Sequence, residues 1–296
     1  MKNIVISLIL ALVLTTTPCF AFFVPEPNVE KGANVGYVYD DSKVDLKGTT
    51  TVTFSSSPEF GSVEGGFSAS YDSSKMKAKR NVALVRVGSG RISGNIVFGS
   101  SKLSIEDTLK PTVYDPVETH GLVFGTDSVF GLGSTLQLMQ LFNNTLVVYL
   151  DGMWIRQKNS FKDFLVNGES LSDTLQYDFE TPVDVSINGN TKIEQWQIGG
   201  LLKLTKGIFS FIAGIYYYDL SAVSSGEVKL TEGGAFVGKY DYTAKRKEKS
   251  NLMEVVGAKL DIPLSKKKGW HIVVSGQGRF GAEKGWGASV ALCKKW

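Results

Sequence analysis

Trp286-Gly-Ala-Ser-Val-Ala-Leu-Cys-Lys-Lys-Trp296 reads as a single alternating stretch. Taken by twos, Trp286, Ala288, Val290, Leu292 and Trp296 share one face, and Gly287, Ser289, Ala291, Cys293 and Lys295 share the other. That period belongs to a β-strand whose two sides meet different surroundings. A tryptophan stands at each end of the apolar face, about ten residues apart, which is the length a tilted strand needs to cross a bilayer. The apolar face suits lipid and the polar face suits a lumen.

The opposite end of the chain carries an address. Met1-Lys2-Asn3 is a short basic start, Ile4 to Leu14 is an apolar stretch, and Cys19-Phe20-Ala21 puts small residues where a signal peptidase reads. Cleavage is expected after Ala21, leaving 1–21 as signal peptide and 22–296 as one domain. The apolar stretch falls short of the roughly 18 to 20 residues of a membrane helix, and no other segment approaches that length. After cleavage Cys293 is the remaining cysteine, which excludes an intramolecular disulfide. A net charge of +3 is too weak to imply a nucleic-acid partner.

Working back from Trp296 with period-two alternation divides the chain into twelve strands, with ten as the alternative. They are approximately 33–39, 44–54, 60–71, 79–87, 91–103, 121 or 130–141, 144–156, 191–204, 208–220, 251–262, 270–280 and 286–296. An even number suits a single-chain antiparallel up-and-down barrel. With both mature termini in the periplasm, the inner connections are Ser55 to Glu59, Gly88 to Gly90, Phe142 to Asn144, Thr205 to Gly207 and Pro263 to Gly269, all short. The longest connections, about 105–120, 157–190 and 221–250, then face outward. Alternation in Glu227 to Thr231 and Gly238 to Thr243 suggests a hairpin rising above the membrane.

The tryptophans fit the same frame. Trp154, Trp196 and Trp286 fall near outer strand ends, and Trp270 and Trp296 at inner ends, each on the face that carries the apolar neighbours. Rings at those heights bury in acyl chain while their polar edge meets headgroups.

Assigning the polar face of every strand to the interior gives a lumen lined by Asp45, Lys47, Glu64, Arg80, Arg86, Arg91, Asp151, Lys203, Lys259, Asp261, His271 and Arg279, with Gln137, Gln195, Gln197, Gln277 and Lys295 among them. Positive groups are in excess, so a wet path between low-dielectric walls favours anions. A network of ion pairs and glutamines that fills the barrel is the alternative. The run Lys245 to Lys249 lies where it can meet lipopolysaccharide phosphates or simply water.

Catalytic chemistry finds little support. His120 and His271 are the only imidazoles. The outer-membrane phospholipase and lipid A deacylase families carry a serine two positions after the histidine, where this chain has Leu122 and Val273. The omptin proteases carry an aspartate two positions before it, where this chain has Glu118 and Gly269. No spacing of Cys and His suggests a metal and no phosphate-cradling loop is present, so no cofactor is expected.

The leader, the alternating strands, the aromatic belts and Trp296 together resemble the bacterial outer-membrane β-barrel proteins as a porin-like class. The resemblance implies an all-β transmembrane barrel surrounded by outer-membrane lipid and lipopolysaccharide. It also implies handling by the barrel-assembly machinery through the last strand, where Gly287, Val290, Leu292 and Trp296 follow the class pattern and Lys294 departs from it. The leading expectation is a narrow passive channel for ions or small hydrophilic, anion-weighted solutes. The alternative is a sealed scaffold or adhesin presenting the 157–190 and 221–250 connections, and a hydrolase stands third.

Overall fold

Period-two alternation continues well past the stretches that are apolar on one face, and the strands are correspondingly long. A computed structural model describes residues 31–56, 64–109, 118–143, 145–171, 173, 183–265 and 269–295. Its strands are β1 (Gly32–Ser56), β2 (Glu64–Gly88), β3 (Ile92–Leu109), β4 (Glu118–Leu141), β5 (Leu146–Val166), β6 (Glu169–Ser170), β7 (Val183–Lys206), β8 (Phe209–Glu232), β9 (Ala235–Glu248), β10 (Leu252–Ser265), β11 (Trp270–Gly281) and β12 (Glu283–Lys295). The expected signal peptide, Trp296 and the Lys266 to Lys268 turn lie outside the described residues.

Antiparallel neighbours close the sheet on itself. At the end of the barrel where Gly32 pairs with Lys295, here called proximal, the ring among the described residues has ten strands: β1, β2, β3, β4, β5, β7, β8, β10, β11 and β12. Towards the distal end the β11–β12 hairpin stops, and β9 takes its place between β8 and β1. The ring there has eight strands. At the step between the two rings, the Lys249 amide donates to the Asp45 carbonyl at 3.0 Å and the Ala282 amide to the Leu252 carbonyl at 2.7 Å. Backbone groups that lose a strand partner are thus satisfied.

Two boundaries in the twelve-strand division do not exist. Segments 33–39 and 44–54 belong to β1, and 79–87 together with the described part of 60–71, from Glu64 on, belong to β2. Ser55, expected to begin an inner connection, instead pairs with Glu64 at the distal end, opposite Gly88. Removing two boundaries in succession leaves the direction of every later strand unchanged. The alternation of Glu227 to Thr231 and Gly238 to Thr243 is that of the β8–β9 hairpin, which β7 accompanies to Glu232 and β1 to Gly238.

The false boundaries have a physical origin in β1. Near its start Val35 and Tyr37 point out and are 59% and 50% exposed, while Asn34 and Asp40 are buried inside. Beyond residue 43 the polarity of the two faces reverses. Val44 and Leu46 are inside, and Lys43, Asp45, Lys47, Thr49 and Thr51 are outside. The pleat is continuous, but the medium around it changes. The proximal exterior is apolar, as suits hydrocarbon, and the distal exterior polar, as suits water, so the same strand is apolar-out in one section and apolar-in in the other.

The apolar outer belt has its edges where tryptophans sit. Trp154 and Trp196 face each other across β5 and β7 with rings 6.1 Å apart, and Phe130 completes the row at 6.3 Å from Trp154. Trp286 lies beside Asp41 on the next sector of the distal edge. At the proximal edge the Lys294 ammonium lies 5.7 Å from the centre of the Trp270 ring, an arrangement that covers the charge while leaving it near water. Between the edges Ile198, Leu202, Leu132, Ile215, Val290 and Leu292 form the exposed band. Its height is about nine residues per strand, the reach a tilted strand needs across hydrocarbon.

Candidate functional site

Inside the ring the side chains form successive layers along the axis. At the proximal mouth, Gln137, Lys203, Lys259, Asp261, His271 and Lys295 line a polar vestibule of about 400 Å³. Asp261 organises it. Its carboxylate meets His271 Nδ1 at 2.6 Å, Lys295 Nζ at 3.0 Å and Lys259 Nζ at 3.7 Å. Deeper in, Asp151 accepts hydrogen bonds from Thr135 Oγ1 at 2.6 Å and the Tyr216 hydroxyl at 3.3 Å, and Arg86 supplies the positive charge nearby.

The next layer lies level with the distal tryptophans and is built from strands on several sides of the ring. Arg80 donates to Asp40 at 2.8 Å and to Gln157 at 2.9 Å. Arg279 reaches the other oxygen of Asp40 at 3.3 Å and Glu283 at 2.8 Å. Gln195 donates to Glu283 at 3.4 Å. These four charged side chains are each at most 2% exposed. The alternating charges link strands on several sides of the interior, and a buried apolar cluster includes Val44, Leu46, Met76, Leu103, Ile105 and Leu220.

A further ion pair stands above the belt, where Arg246 meets Asp107 through Nε at 3.1 Å and donates to the Ser224 hydroxyl at 2.8 Å. The distal end of the interior is apolar. Val52, Leu122, Phe161, Phe164, Ile187 and Tyr242 surround a void of about 250 Å³. Burial raises the Tyr242 phenol above its ordinary range, with Arg246 opposing the shift.

The residues expected in the lumen divide by section. Arg80, Arg86, Asp151, Lys203, Lys259 and Arg279 are buried inside, with Asp261 and His271 partly exposed in the vestibule. Asp45, Lys47, Glu64 and Arg91 are exposed and stand as corrections. Asp45 and Lys47 alternate with the buried Leu46 and face water around the distal section, where Asp45 meets Lys284 at 3.2 Å. Glu64 begins β2 at the distal end and Arg91 lies in the turn before β3. The Lys245 to Lys249 run is no single patch, because Arg246 and Glu248 turn inward.

Asp40, Asp107, Arg246 and Glu283, which hold both ion-pair layers, escape a reading that ends strands where the apolar face ends. Their signal is nevertheless present. Val38, Asp40, Ser42 and Val44 keep one phase through the supposed gap in β1, and Asp107 continues β3 past residue 103 in the phase of Leu103 and Ile105. Cys293 is a buried, inward-facing residue outside any disulfide. His120 sits near the distal rim with its ring centre 5.6 Å from that of Phe164.

No family model matches the chain, and no curated protein does. Among solved structures it is similar to the outer membrane protease OmpT of Escherichia coli, at 9% identity and a TM-score of 0.44 over 95% of this chain and 99% of that one. It is similar to the translocator domain of autotransporter NalP of Neisseria meningitidis, at 10% and 0.39 over 92% and 90%. A third is the outer membrane protein OprG of Pseudomonas aeruginosa, at 8% and 0.36 over 90% and 97%.

Proposed function

We propose that this chain is a bacterial outer-membrane barrel sealed within the lipid, whose distal eight-stranded section stands on the cell surface as a binding scaffold. Both mature ends then face the periplasm, and lipid and lipopolysaccharide surround the proximal belt. The barrel-assembly machinery would read the final strand, and the role is non-catalytic. The observation that carries this reading is the Asp40, Arg80, Arg279 and Glu283 layer, in which no charged side chain is more than 2% exposed. An aqueous path would hydrate these groups, whereas here each charge is neutralised by another.

A narrow anion-weighted channel is the second reading, favoured by the vestibule, where Lys203, Lys259 and Lys295 outnumber Asp261. Planar-bilayer recording from folded protein separates the two. Silence from the native chain, with conductance steps appearing in an Asp40→Ala, Arg279→Ala double variant, is expected. Reproducible anion-selective steps from the native chain would overturn the sealed reading.

A further inference from the structure

The distal void has three properties that together point to a ligand. First, its wall is apolar although water surrounds this section. Tyr240, 40% exposed, lines the void, and the Phe54 ring, 37% exposed, stacks beside Tyr240 with centres 6.2 Å apart. Phe161 and Tyr242 line it with ring centres 6.4 Å apart, and the buried Phe124 ring packs against Phe161 at 5.3 Å. Water in such a void finds few polar partners.

Second, two polar groups of the wall are turned away from the space, and the His120 imidazole, which also lines it, packs against the edge of the Phe164 ring. Arg246 holds the Tyr242 hydroxyl from below. Glu227 contributes to the wall, but its carboxylate lies on the outer face, 2.8 Å from Lys239 and 3.1 Å from Lys229. Third, the cup is shaped before anything enters it. Phe161 occupies room left by Gly189 and Gly226, since a Cβ on Gly189 would stand 2.6 Å from the Phe161 ring. Phe161 is thereby seated against two strands instead of swinging into the void.

We infer that this cup binds a small apolar molecule of about one to two rings, a size consistent with benzene filling an apolar cavity of about 150 Å³. Membrane acyl chains are too distant to be its occupant. On β8 nine residues separate Tyr217, at the edge of the belt, from Gly226 in the cup, which is roughly 20 Å along a tilted strand. Affinity comes from burying ring surface against Phe161, Phe164 and Tyr242, with little orientation from hydrogen bonds, so selectivity follows size and shape. This deepens the surface-scaffold reading only in naming what arrives from outside. Binding itself does not depend on the membrane section being sealed.

The test is anomalous diffraction from crystals of the full chain soaked in bromobenzene, paired with calorimetric titration of 1-naphthol into amphipol-held protein. A bromine peak bounded by Phe161, Phe164 and Tyr242 is expected. Val228→Trp and Ile187→Trp, which each put an indole into the cup, should remove that peak and weaken naphthol binding by about tenfold or more. Native-like heat-modified gel mobility certifies that each variant is folded, and the second serves if the first is not. Bromine confined to the outer belt, density from the chain's own residues in the cup, or unchanged binding in a folded variant would overturn the inference. Conducting protein that still binds bromobenzene would remove the sealed reading alone.

Discussion

Arg279 and Asp40, 239 residues apart in sequence, meet at 3.3 Å inside the barrel. Strand β12 runs between their own strands, so the contact crosses a neighbour instead of joining a ladder pair. Arg80 takes the remaining oxygen of the same carboxylate at 2.8 Å. One buried anion therefore holds two guanidinium groups, and its loss takes from Arg80 its carboxylate while Arg279 keeps Glu283.

Asp40→Ala is expected to destabilise the folded barrel by about 3 to 5 kcal/mol, the cost of uncompensated buried charge. Asp45→Ala removes an exposed pair with Lys284 and should change stability by less than about 1 kcal/mol. Urea titration of vesicle-inserted protein, followed by gel mobility, compares them. Equal effects would mean the Asp40 layer is hydrated.

The reversal of polarity along the strands has its own test. Val290→Arg places a charge in the middle of the belt and should cost roughly 2 to 4 kcal/mol. Thr51→Arg, on the same outer surface but in the distal section, should be nearly neutral because the site faces water. The same titration measures both variants. A comparable penalty at Thr51 would extend the lipid belt over the distal section.

The β8–β9 hairpin should respond to acid. Hydrogen bonds from Lys239 and Lys229 hold the Glu227 carboxyl below its ordinary value. A depressed folded-state value means that the pair's contribution is present above the unfolded-state value and is lost as pH falls through the folded one. Carbon-detected titration should find the Glu227 midpoint below that of an unpaired glutamate and moving upward in molar salt, as expected for a pair at the surface. An ordinary midpoint in Lys239→Gln would assign the shift to that ammonium.

Gly226→Ala is expected to cost about 1 to 3 kcal/mol through overpacking, because the added methyl meets the Phe161 ring and the Asn188 carbonyl. Gly233→Ala has open space around its Cβ, though its φ of 55° adds backbone strain of about 1 kcal/mol. Solvent accessibility of the Phe161 amide by hydrogen exchange should rise in the first variant and stay native in the second.

Alternation by twos was legible in the chain from end to end, and it determined that this is a barrel, that the belt carries tryptophans at its edges, and that Arg80, Arg86, Asp151, Lys203, Lys259 and Arg279 point inward. Period two distinguishes one face from the other. It carries no information about which solvent each face meets. Polar residues mark the interior where the surroundings are hydrocarbon, and they mark the exterior where the surroundings are water. Only the tertiary structure decided where β1 passes from one medium to the other, and with it the outward placement of Asp45 and Lys47 beside the buried Leu46. It alone decided that Asp40, Arg80, Arg279 and Glu283 share one layer, because that meeting depends on ring closure and strand stagger, which no local pattern of residues encodes.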